Sequence, residues 1–223
     1  MNRIVMVIAA HPDDEALGCG GTIAKHVDQG DTVHFIFVAD GVSSRNASGD
    51  QALIEREVAT KRAAFLLGAS SFDTLGFPDN RLDTIALLDI VQCLELQIER
   101  IKPSIIYTHH GGDLNVDHRK VHSAVITACR PLPGSSVREI YAFEIPSSTE
   151  WSSIGFVPFL PNHYVDISNF LLKKISVLDA YGIEMRPFPH SRSIQHVQDL
   201  ARHRGSSVGL AAAEAFMVLR VLR

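Results

Sequence analysis

Residues 4–10, Ile-Val-Met-Val-Ile-Ala-Ala, form an unbroken apolar run that stops abruptly at His11-Pro12-Asp13-Asp14-Glu15. The run is too short to cross a bilayer and shows no polar alternation, which is the pattern of a strand buried on both faces. The first strand is therefore placed at about residues 3–10. Similar runs recur at 32–39, 72–75, 104–108, 137–143 and 163–167, and segments with helical spacing lie between them. These segments span 21–29, closed by Gly30, then 51–67, closed by Gly68, and 83–101, stopped by Pro103. Others run from 118 to just before Pro131, over 168–181 with Ser168 as cap, and over 194–204. Residues 182–193, with Pro187 and Pro189, read as a loop, and the apolar tail at 210–222 reads as a last core helix. Strand and helix in alternation predict an α/β fold: a three-layer α/β/α arrangement around a mostly parallel sheet.

The 223 residues suit a single domain, 1–223, with 46% hydrophobic and 21% charged residues, an ordinary globular balance. A formal net charge of -4 leaves no basic footprint for nucleic acid, so small-molecule partners fit better, and a homo-oligomer is compatible with the composition. Cys19, Cys93 and Cys129 are odd in number and unpaired in spacing, which suggests neither a disulfide framework nor a thiolate metal site and points to a reducing cytoplasm. No transmembrane segment is expected; the tail is interrupted by Glu214 and Arg220.

In open α/β sheets ligands bind outside the carboxyl ends of strands, and His11 to Glu15 falls there. Three consecutive carboxylates beside a histidine repel one another, so the fold gains little from them unless a cation or a proton transfer uses the charge. Zinc accepts imidazole nitrogen and carboxylate oxygen and keeps one position for water beside three protein ligands; His11 and Asp14 supply two. A third is sought at another strand end, where the polar loop after Thr108 contains Asp113, Asn115 and Asp117 and leads into His118 and His122. Ferrous iron could occupy the same donors.

The His-Pro-Asp-Asp-Glu motif early in the chain, followed by Asp117-His118 opening a later helix, resembles the LmbE/PIG-L family of zinc-dependent N-deacetylases, and the likeness extends over Gly18-Cys19-Gly20-Gly21. It implies a Rossmann-like sheet, one zinc per chain on His11, Asp14 and His118, Asp13 as general base, and Asp117 behind the ligands. It further implies hydrolysis of an N-acetylglucosamine-type sugar to acetate and a free amine. Many relatives carry a histidine three residues before the second-motif ligand, assisting the oxyanion; this chain has Asn115, so Asn115, His109 or His110 would have to serve. His122, one helical turn beyond His118, is a reserve ligand.

Arg56, His110, His190 and Arg192 are the candidates for substrate contact, with Arg45 and Arg62 more ordinary surface cations and residues 189–193 a possible lid. Trp151, in a polar loop, is either packing or a sugar-stacking surface. Two other functions compete: cleavage of a larger sugar-thiol or lipid-linked amide at the same site, and a non-catalytic nucleotide-sugar module using Gly18 to Gly21 as a phosphate turn. The second lacks both a P-loop lysine and an acidic ribose partner.

Overall fold

A computed structural model describes residues 2–44 and 50–223; Arg45 lies outside the described residues. The chain runs β1 (Ile4–Ala9), α1 (Asp14–Asp28), β2 (Thr32–Ala39), α2 (Asp50–Leu67), β3 (Ser71–Phe77), α3 (Leu87–Ile101), β4 (Ile105–His109), α4 (Val116–Ala128), β5 (Glu139–Phe143), β6 (His163–Asp166), α5 (Leu171–Leu178), α6 (Ile194–Ser206) and β7 (Ala213–Val221). The sheet order is β3-β2-β1-β4-β5-β7-β6, parallel from β3 to β5, with β7 antiparallel to both of its neighbours.

The pleat of β1 divides the core. Val5, Val7 and Ala9 face the layer carrying Ile23, Ala63 and Val177 of α1, α2 and α5, whereas Met6 and Ile8 face Leu94 and Val121 of α3 and α4. Helices thus cover both faces, as the uninterrupted apolar runs require. The chain goes outward from β1 through β2 to β3, then returns to place β4 on the other side of β1, so the loops after β1 and β4 diverge at a topological switch point. That crevice lies at the carboxyl ends of the two strands whose following loops carry the two sequence motifs. Among the described residues no helix is long and apolar enough to cross a membrane.

Several assignments differ from the sequence reading. Residues 210–222 are not a helix: they hold strand β7, which pairs with β5 on one edge and β6 on the other. The alanine-rich composition favours helix locally, but two ladders of partner strands override it. Helix α1 starts at Asp14 instead of Gly21 and contains a break at Cys19 (φ −146°, ψ 22°). The freed groups at this break are satisfied from outside. Glu214 accepts from Gly21 N (2.9 Å) and Thr22 N (2.7 Å), while Lys174 Nζ donates to Leu17 O (2.7 Å) and pairs with Glu214 (2.6 Å). Helix α3 starts at Leu87 after a separate 3-10 turn, Leu82–Thr84. Ser168 does not cap α5; its hydroxyl donates to Asp166 Oδ1 at 2.6 Å, and the helix begins at Leu171.

The glycines read as a turn serve close packing instead. A Cβ on Gly18 would stand 2.5 Å from Phe143 Cδ2, and one on Gly21 would stand 2.9 Å from Ile167. Phe143 is fully buried and its ring packs edge-on to His109 at 4.8 Å, so it has no space to yield. A glycine-to-alanine change inside a helix ordinarily stabilises by up to about 1 kcal/mol. Here Gly18→Ala is expected to destabilise by about 1–3 kcal/mol through overpacking, measured as a lower urea midpoint at unchanged m-value; an unchanged or raised midpoint would refute the packing account.

Candidate metal centre

The loop leaving β1 is held in an unusual conformation. Asp13 has φ 132°, a left-handed-side value that costs a non-glycine residue about 1–3 kcal/mol. Its neighbours hold it there: Asp13 N donates to Glu15 Oε2 (3.0 Å), and Tyr181 OH donates to Glu15 Oε1 (2.8 Å). Burial lifts the Glu15 carboxyl to a pKa of about 8. Pro12 O accepts from Arg56 Nη1 at 2.6 Å, and Asp14 Oδ2 accepts from His11 N at 2.8 Å.

Strand β4 and helix α4 bring the second motif to this loop. Asn115 caps α4 by accepting from Asp117 N (2.8 Å), which explains why the helix begins two residues earlier than the Asp-His pair suggested. His118 Nε2 lies 3.5 Å from Asp14 Oδ1 and its Nδ1 lies 3.1 Å from Asp113 Oδ1. Burial opposes a charge on His118, but the carboxylates of Asp14 and Asp113 outweigh it and raise the imidazolium pKa to about 9. The same competition, burial against Asp117, Asp14 and Asp79, holds His11 well above its usual range. Burial also opposes ionisation of Asp14, yet His118 and His109 keep it well below the usual carboxylate range. The cluster is built for positive charge.

Among the described residues two sets of three groups offer ligand atoms within 4.8 Å of one another: His11, Asp14 and His118, and His11, Asp79 and Asp117. Their hydrogen bonding separates them. Asp117 already accepts from Asn80 N (2.7 Å) and Leu82 N (3.0 Å), and Asp79 accepts from Ser44 Oγ and Asn80 Nδ2. In the first set Asp14 Oδ1 and His118 Nε2 are buried without a hydrogen-bond partner, while His118 Nδ1 lies against Asp113. Such groups cost about 1–3 kcal/mol each when left unsatisfied. A divalent cation would satisfy Asp14 Oδ1 and a His118 nitrogen together, and the nitrogen and oxygen donors suit zinc. Asp117, 3.1 Å from His11 Nε2, and Asp113 stand where they orient the two imidazoles.

The remaining candidates divide. A cavity of about 120 Å³ opens onto this cluster, lined by His11, Asp13, Arg56, Asp79, Asn115 and Arg192 among others. Arg192 Nη1 donates to Asp13 Oδ2 at 2.9 Å. Burial raises the Asp13 carboxyl above its usual range, with Arg192 pulling the other way. Arg56 is almost fully buried, bridging Pro12 O, Gly41 O and Glu184. His110 points elsewhere, with Nε2 2.8 Å from Val157 O. His190 sits behind Arg192, accepting from its backbone N at 3.0 Å. His109 is fully buried beneath the cluster, stacked on His118 at 3.9 Å; it accepts from Ala10 N, and burial, helped by His118, lowers its pKa to about 4. His122 engages the His109 carbonyl (2.8 Å) and does not join either ligand set. Of the histidines weighed against Asn115, then, neither His109 nor His110 lines the cavity.

Sequence reasoning missed Asp79, Glu184 and the orienting role of Asp113. Asp79 follows β3 directly, in Phe77-Pro78-Asp79-Asn80, so its place after a strand was the available signal. Glu184 sits in an irregular loop and carried none.

Residues 6–129, which contain both motifs, match the family model described as PIG-L, GlcNAc-PI de-N-acetylase. The deacetylase YaiS of Escherichia coli (strain K12), itself uncharacterized, is 33% identical over 159 residues, covering 69% of this chain and 78% of that protein. The diacetylchitobiose deacetylase of Thermococcus kodakarensis is 29% identical over 182 residues, covering 77% of this chain and 66% of that protein. The fold is also that of GalB, the 4-carboxy-2-hydroxymuconate hydratase of Pseudomonas putida KT2440, with a TM-score of 0.75 at 23% identity over 99% of this chain and 98% of that one. The fold by itself therefore does not choose a reaction, but the family match spans more than half of the chain together with its strand-end motifs. The chain belongs to the PIG-L family of GlcNAc-PI de-N-acetylases.

Proposed function

We propose that this protein removes the acetyl group from an N-acetylglucosamine-type sugar or its conjugate, with one divalent ion, zinc by donor type, held by His11, Asp14 and His118. The observation that carries the reading is the pair of unsatisfied buried donors, Asp14 Oδ1 and the His118 ring, beside an arginine-held carboxylate at the cavity wall. When bound, the ion supplies Lewis acidity: it acidifies water and polarises the amide carbonyl.

In this reading Asp13 serves as the general base. It accepts a proton from water as the water oxygen bonds to the carbonyl carbon, and returns that proton to nitrogen as the carbon-nitrogen bond breaks. The products are acetate and a free amine. Arg192 fixes the Asp13 carboxylate through one arm and borders the cavity where the sugar would lie. Asn115 uses its oxygen in capping α4 and one amide N–H in donating to Asn80 Oδ1 at 3.4 Å, which leaves its other amide N–H as a neutral donor for the developing oxyanion. Arg56 acts through the backbone of Pro12, setting the loop that carries Asp13. The three free cysteines, two of them buried, fit a cytoplasmic enzyme.

Elemental analysis of freshly purified protein, followed on the same sample by acetate release from N-acetylglucosamine and N,N'-diacetylchitobiose, tests the reading. About one zinc or iron per chain and chelator-sensitive acetate release are expected. Metal without acetate release from any acetyl sugar would move the reaction to a larger amide, and no metal-dependent activity after reconstitution would remove the hydrolase reading.

A further inference from the structure

One side of α2 presents apolar side chains to water. The helix buries Arg56, Ala59, Thr60, Ala63, Ala64 and Leu67 against the rest of the molecule. On the opposite side Ile54 is 53% exposed, Val58 60% and Phe65 83%. Successive helical residues turn by about 100°, so Val58 and Phe65 return to within roughly 40° of Ile54 and the three form one stripe along the axis. Single exposed apolar residues are common, but a row of three on one helix face marks a contact surface.

The charged residues beside the stripe are ordered. Glu55 and Arg62 border one edge of it, Glu57 and Lys61 the other, and all four are exposed. On each edge the acid lies toward the amino end of the helix and the base toward the carboxyl end. Glu57 and Lys61 pair within the helix at 2.5 Å, both side chains more than half exposed, and a pair so open to water exchanges partners at little cost.

We propose that α2 docks on α2 of a second copy of this chain, antiparallel about a two-fold axis level with Val58 and Ala59. Such a pairing is isologous: each edge meets the same edge of the partner, reversed in direction. Glu55 then faces the partner's Arg62, and Glu57 faces the partner's Lys61. The stripe packs on its own copy, with Phe65 against the partner's Ile54. A parallel pairing would bring opposite edges together and set Glu55 on the partner's Glu57 and Arg62 on the partner's Lys61, so like charges exclude it. The four charges cancel, so an anionic membrane surface gains no electrostatic attraction to this face. The occupant that complements both the stripe and its edges is the same helix turned round.

Sedimentation velocity across a micromolar concentration series is expected to show a reversible shift from the 24.5 kDa chain to twice that mass. Phe65→Glu, at a position mostly in water, should keep its thermal midpoint while raising the dissociation constant at least about tenfold. Glu57→Lys and Lys61→Glu should each weaken self-association. An equimolar mixture of these two variants should recover it as a heterodimer, because mixing mends the broken pairs between chains and leaves those within each helix broken. A protein that sediments as one chain throughout, or a dimer that Phe65→Glu leaves intact, would overturn the proposal. A mixture no tighter than its components would overturn the antiparallel register. Phe65-dependent binding to vesicles of phosphatidylcholine and phosphatidylserine, by a protein that stays a single chain, would give the face to a membrane instead.

Discussion

His118→Ala is expected to abolish deacetylation and metal retention together, with activity down by about a thousandfold or more and metal lost on dialysis at neutral pH. The size of the effect follows from what surrounds the ring. Asp14 and Asp113 face it with two carboxylates, and without the imidazole those charges are left buried beside each other, fully enclosed. Of the proposed ligands only His11 and Asp14 remain, too few to hold zinc in a site that keeps one position open. Bound metal is read by elemental analysis and activity by acetate release. Because the change also opens a cavity against His109, a thermal melt of the same sample separates loss of the ion from loss of the fold. A folded His118→Ala protein that keeps its metal and its activity would remove His118 from the ligand set.

Asp13→Asn has the second-largest expected effect, about 10²–10⁴ in kcat, with metal content unchanged. Asparagine is the appropriate replacement because it tolerates positive φ better than most residues and can still accept from Arg192, so the strained loop and the arginine keep their places. The ability to take and return a proton is removed, together with the charge that pairs with Arg192. Metal analysis and single-turnover acetate release on the same preparation isolate that loss, and full activity would assign the base elsewhere. Comparing the two substitutions tests the division of labour: one should strip the ion, the other should leave it in place beside an inactive carboxamide.

Local patterns carried most of the architecture. The run at residues 4–10 shows a strand because burial on both faces leaves no polar alternation, and its abrupt end in His11, Asp13 and Asp14 marks a site because consecutive carboxylates have no packing use. The polar loop after the strand at 104–108 was legible by its position at another strand end, but Asp117 and His118 were picked out of it by the resemblance to the LmbE/PIG-L family. What failed locally were segments whose neighbours decide: residues 213–221 have helix-favouring composition and become a strand because β5 and β6 flank them, and Gly18 and Gly21 are glycines inside a helix because Phe143 and Ile167 leave no room there for a Cβ.

The sequence by itself determined the alternation of buried strands with covering helices, the strand ends where charge collects, and the donor types from which an ion can be held. All of these depend on residues close together in the chain, where side-chain period and turn chemistry act. The tertiary structure alone decided which donors are left unsatisfied, that Asp113 faces His118, and that Asp13 is held by Arg192, a residue 179 positions away. No local periodicity encodes such a pairing. It arises because the crossover from β3 to β4 opens a crevice beside β1, and distant loops meet there.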